Sequence, residues 1–132
     1  TTILVSTPYM DEAERCGRVG FIMNGMLMRE GTPGEFPASY PYEILSARAR
    51  DIVRRTRNLR FPQSVRSVRT FGDRLHLSVE NAEASMTGIR SFFKENGING
   101  VDVERTAPAM EDVFVHDMMH QSGQGPQRER KE

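Results

Sequence analysis

A single cysteine among 132 residues leaves no second thiol for an internal disulfide, which removes the staples of small secreted domains and fits a reducing compartment. Long apolar runs are also missing. The longest are a few residues, against the roughly 20 that a membrane-spanning helix needs, and no signal-peptide pattern opens the chain. Charge of one sign is missing too: eighteen Lys and Arg balance eighteen Asp and Glu, so no global field draws the chain to nucleic acid or anionic lipid. The expected location is cytoplasmic, with membrane association made only through a partner.

What is present suits one domain, or one small domain with an attached piece. Ile3, Leu4 and Val5 form an apolar, largely β-branched run of the kind that a strand buried on both faces of a parallel sheet requires. A helix is expected directly after it. Thr7 can cap its N-terminus, Pro8 fits the first helical position, and Asp11 and Glu12 place negative charge at the positive end of the helix. Met10 and Ala13 then share a face, with Cys16 nearby.

This stretch carries a resemblance. STPYMDEAERCGRVGFIMNGMLMREGTP resembles the segment that follows the Walker B region in ABC ATPases of the multidrug and polysaccharide exporter type, where it commonly reads STHYMDEAERCDRV…G…GTPEEL. In that family the residue after the Thr is the switch histidine, which contacts the γ-phosphate of ATP. Here the position is Pro8, and Gly17 stands where the family usually has Asp. The resemblance therefore implies a fold and places Thr7 and Pro8 near the γ-phosphate in an intact parent, yet a proline cannot donate a hydrogen bond or act as acid or base. No catalytic residue is assigned.

The chain has no GxxxxGK[ST] loop, no LSGGQ-like signature and no apolar strand ending in Asp-Glu, without which an ABC ATPase cannot work. The expectation is a fragment of such a subunit, with the first cassette of a tandem two-cassette protein as the expected parent. Its partners would be the rest of the ATPase, a second nucleotide-binding domain and a transmembrane permease, which would hold it at the inner membrane. ATP and magnesium belong to the parent, and the fragment itself is assigned no cofactor.

Further along, Arg18 to Met23 and Met26 to Glu30 flank Asn24-Gly25, a two-residue hairpin signal. Thr32 to Glu35 has capping-box spacing with Pro33 at the first helical position, and Pro37 and Pro41 keep that helix short. From Ala38 the composition changes. Tyr42 to Ala47 reads as a strand. Ala49, Ile52, Val53, Thr56 and Leu59 make one stripe of a helix from about 47 to 59. Val65 to Phe71 and Arg74 to Val79 read as strands joined at Gly72-Asp73. Asn81 caps a helix whose Met86, Ile89, Phe92 and Phe93 face one way until Asn96-Gly97. Val101 and Val103 mark a further strand. Pro108 opens a last helix with Met110, Val113, Phe114 and Met118 on one face.

The expected class is α+β. Residues 1–36 read as the end of a nucleotide-binding domain, 37–41 as a linker, 42–119 as a ferredoxin-like βαββαβ accessory domain with an extra C-terminal helix, and 120–132 as a flexible tail. The resemblance agrees, since APAMEDVFV is similar to the PSLEDVFL that commonly ends such accessory domains. With its covering partners absent, the segment 1–36 is expected to be disordered, packed back on the accessory domain, or shared in a dimer.

The remaining chemistry-bearing residues have structural readings. Asp11, Glu12 and Glu14 compensate a helix dipole. His116 and His120, at i and i+4, lack a third ligand, so no metal site is assigned. Cys16 reads as a small apolar side chain. Arg48, Arg50, Arg54, Arg55, Arg57 and Arg60 lie off the apolar stripe as a solvated face, and with Phe71 alone near a stacking position no nucleic-acid partner is expected. The rival functional reading is a free-standing ferredoxin-like module that senses a small molecule through Gly97 to Asp102 and the strand faces.

Overall fold

The structure, a computed structural model, describes residues 1–121; of the expected tail 120–132, His120 and Gln121 instead continue the last helix, and 122–132 lie outside the described residues. The chain is mixed α+β, and its described part holds two antiparallel sheets and five helices. It divides into two compact units, one made of Thr1–Tyr40 with the chain from Ala109 onward, the other of Pro41–Pro108.

The first unit opens without regular structure. Ile3, Leu4 and Val5 form no strand and are exposed, Leu4 at 97%, because a strand is stable only in a ladder and no described strand pairs with them. Helix α1, Met10–Ala13, follows. Strands β1, Val19–Met23, and β2, Met26–Gly31, then pair antiparallel. Asn24 and Gly25 both take positive φ, 51° and 75°, as a type I′ turn demands. Glu35 Oε accepts from the Thr32 N–H at 2.6 Å, the reach-back half of a capping box, ahead of helix α2, Glu35–Ala38. Pro33 therefore precedes the helix rather than opening it.

The last helix of the chain, α5, Met110–Gln121, belongs to this unit. Its Met110 and Val113 are buried with Phe21, Phe36 and Ala13, and the Phe21 ring stands 4.5 Å from Phe36 and 5.0 Å, edge-on, from Phe114. The sequence places this helix in the accessory domain 42–119. Helical spacing identified the apolar face but carries no information about which core receives it.

The second unit runs β3 (Glu43–Arg48), α3 (Ile52–Thr56), β4 (Val65–Phe71), β5 (Arg74–Val79), α4 (Ala82–Glu95) and β6 (Asp102–Thr106). The strand order is β4-β5-β3-β6, antiparallel throughout. Leu45, Ala47, Leu75, Leu77 and Val79 pack with Ile52, Ala82, Ile89 and Phe93, each large side chain adding about 1.5–3 kcal/mol by leaving water. Local chemistry sets the ends of elements. Gly72 at φ +59° fits the first central position of a type II′ turn. Asn81 Oδ1 accepts from the Ala84 N–H at 2.8 Å and caps α4. At its other end the Ile98 N–H reaches the Phe93 carbonyl at 2.8 Å, the Gly97 N–H reaches that of Lys94 at 3.1 Å, and Gly97 has φ +72°, a Schellman stop closed by the buried pair Ile98 and Phe93.

Helix α3 is much shorter than the expected 47–59. Ala47 and Arg48 are held in the ladder opposite Leu75 and Arg74, and Asp51, at φ +55°, resets the chain just before Ile52. At the other end the Thr56 hydroxyl donates to the Ile52 carbonyl at 2.7 Å, a local bond that competes with continuation of the helix.

Candidate functional site

The site implied by sequence centres on Thr7 and Pro8. Thr7 does not cap α1 directly, because the helix starts at Met10 and its N-cap position is Tyr9, which makes no side-chain cap bond. The Thr7 hydroxyl instead accepts from the Tyr9 N–H at 3.0 Å and donates to the Glu12 carboxylate at 2.5 Å. It thereby ties the turn to the helix it precedes. Pro8 is exposed and brings no N–H. With Asp11 and Glu12 in the first turn, the segment presents negative charge and a committed hydroxyl. A γ-phosphate takes hydrogen-bond donors and positive charge, and Pro8 supplies neither.

The other candidates are dispersed. Cys16 is half-buried with its Sγ 3.7 Å from the Glu12 carbonyl, which is packing at a helix end. The His116 and His120 rings lie 4.0 Å apart, and His120 Nδ1 is 2.9 Å from the His116 carbonyl oxygen, so one ring nitrogen serves the helix itself. Burial, then the neighbouring His120 and Arg29, hold the His116 pKa below its ordinary value, against the opposite pull of Asp117. Among the described residues no group of three or more His, Cys, Asp or Glu is placed to hold a metal.

One charged constellation has no local signal in sequence. Arg29 on β2 meets Asp117 on α5 through two contacts, Nη2 to Oδ1 at 3.1 Å and Nε to Oδ2 at 3.0 Å. The second is a charge contact without a well-aligned hydrogen bond, which leaves the buried Oδ2 poorly satisfied. Eighty-eight residues separate the pair.

The arginine run divides in two. Arg48 pairs with Asp73 at 2.9 Å, Arg54 with Asp51 at 3.5 Å, and Arg55 donates to the Gly97 carbonyl at 2.7 Å. Desolvation raises the Asp73 pKa, but Arg48 and Arg74 outweigh it and hold the carboxyl below its ordinary value. Arg50, Arg57 and Arg60 form no ion pair among the described residues. Beside them lie two open grooves: one of about 500 Å³ along Arg48–Val53 and Asp73, and one of about 570 Å³ between α3 and β4, with Leu59, Phe61 and Leu75 among its lining.

No protein-family model matches the chain. Over 37 residues, 28% of the chain, it is 46% identical to a protein described as "Probable multidrug ABC transporter ATP-binding protein YbhF" in Escherichia coli K12, and equally to the protein of the same description in Shigella flexneri. The match covers 6% of the length of each of those relatives. Among the described residues no helix is long and apolar enough to cross a membrane. The short match supports a relationship to the ABC ATPase family.

Proposed function

We propose that the chain is the C-terminal part of the ATP-binding, energy-coupling subunit of an ABC transporter of the exporter type. It joins the end of a nucleotide-binding domain to a ferredoxin-like accessory domain with a regulatory role. The single observation that carries this reading is the 37-residue stretch shared at 46% identity with multidrug ABC ATP-binding proteins. The βαββαβ order of the second unit, with sheet order β4-β5-β3-β6, supports the accessory-domain half.

In this reading the chain contributes no catalysis. Pro8 occupies the switch position without a donor or a titratable group, and ATP with magnesium would be held by phosphate-binding motifs that this sequence does not contain. The partners would be a second nucleotide-binding domain and a transmembrane permease, with the protein at the cytoplasmic side of the inner membrane. The genomic reading frame is the test. A GxxxxGK[ST] loop and an LSGGQ-like signature in frame ahead of Thr1 are expected, and an open reading frame that lacks both would refute the proposal.

A further inference from the structure

Helix α3 has five residues, about 7.5 Å at ~1.5 Å per residue, while β4 has seven, about 23 Å at ~3.3 Å per residue. The helix therefore covers only part of the strand beside it. In the ladder Val68 lies opposite Leu77 and Thr70 opposite Leu75. Leu75 and Leu77 are buried, yet Val68 is 36% exposed and Thr70 is exposed. The uncovered surface is the floor of the 570 Å³ groove, with Leu59 and Phe61 on its wall and Arg57 and Arg66 at its rim.

Three properties define what would fit. Among the described residues β4 pairs on one side only, with β5, so its other edge offers a row of backbone donors and acceptors. The groove is open along its side, unlike pockets that enclose most of a small ligand. Its lining holds two arginines and no acidic residue: Arg66 is paired with Glu80, whereas Arg57 has no ion pair among the described residues, and the unit around it, residues 41–108, holds twelve Lys and Arg against eight Asp and Glu.

We propose that the groove between α3 and β4 docks an extended acidic peptide segment of a partner protein. The peptide adds as a strand to the free edge of β4, sets an apolar side chain against the half-open Val68, and places a carboxylate against Arg57. This does not rest on the transporter reading, and its failure leaves that reading intact.

The test is a fluorescein-labelled octapeptide of alternating glutamate and valine, titrated against the full chain by fluorescence polarisation, with a lysine–valine octapeptide as control. The glutamate peptide should bind at least about tenfold more tightly than the control, and Arg57→Glu should reverse that preference. The Arg57 side chain is exposed, so an unchanged thermal transition verifies that the variant folds. Amide exchange in β4 should slow several-fold on binding, as strand addition requires. The proposal is overturned by absence of binding at about 1 mM peptide, by equal affinity for both peptides, by binding without protection of the β4 amides, or by full binding to Val68→Lys.

Discussion

Replacing Arg29 by methionine should destabilise the protein by about 2–4 kcal/mol, several times the effect of the same change at Arg18 on the same hairpin. Both arginines pair with a carboxylate within 3.1 Å, so distance alone predicts no difference. Burial does. The Arg18–Glu30 side chains are 72% and 55% exposed, where water and salt reduce a pair to about 0–1 kcal/mol. Asp117 is 10% exposed and Arg29 36%. Removing one partner of a buried pair costs about 3–5 kcal/mol because the other charge is stranded, and the half-open arginine side reduces that to about 2–4. Arg29 also donates to Ser39 Oγ at 2.5 Å and lies 6.0 Å above the Phe36 ring, and methionine retains most of that packing. Urea unfolding followed by the α5 amide signals, with the slope compared between variants, gives the difference directly. The double variant Arg29→Met with Asp117→Leu should recover most of the loss, since no unpaired charge remains. An Arg29→Met cost within about 0.5 kcal/mol of Arg18→Met, or no recovery in the double variant, would refute the argument.

Asn81→Ala should cost about 1 kcal/mol through loss of the cap on Ala84, read as a lower urea midpoint at constant slope. His116 is held neutral below its ordinary pKa of about 6.5 by burial and by the charges of His120 and Arg29. As pH falls past 6.5 the unfolded chain binds its proton first, so stability should decline from there to the folded pKa and be unaffected above; His116→Gln should flatten that decline in a pH series of melts. Calorimetry of this chain with ATP and magnesium should show binding no tighter than about millimolar, because no phosphate-cradling loop is present; micromolar affinity would contradict this.

Features encoded over a few residues were legible in the sequence. Asn24-Gly25 and Gly72-Asp73 form hairpins because their backbones accept the turn geometry, and Asn81 and Asn96-Gly97 bound α4 through bonds spanning three to five residues. Features that depend on distant partners were not. The Arg29–Asp117 pair joins positions 88 apart, and α5 could be drawn as an amphipathic helix but not assigned to the Phe21–Phe36 core. The length of α3 was misread because a helical stripe continues through Ala49 and Leu59, whereas the sheet claims Ala47 and Arg48. At the candidate site the chemistry of Pro8 was legible from its ring alone; the commitment of the Thr7 hydroxyl to Glu12 required the folded turn. The strand read at Ile3–Val5 did not form, because composition specifies a preference for pairing and cannot supply the partner.

An open strand edge is ordinarily a hazard at high protein concentration, since two copies can join edge to edge and continue into a growing sheet. The sequence of β4, VRSVRTF, alters that outcome. Two such edges meeting antiparallel bring arginine-bearing rows together with no carboxylate on either strand to relieve them, and like charges across a ladder are unfavourable. Self-association through β4 should therefore weaken as salt is lowered and the repulsion is unscreened. Solubility and selectivity then share one sign of charge, because the arginines of β4 turn away another copy of the strand while Arg57 beside it admits a strand of opposite charge.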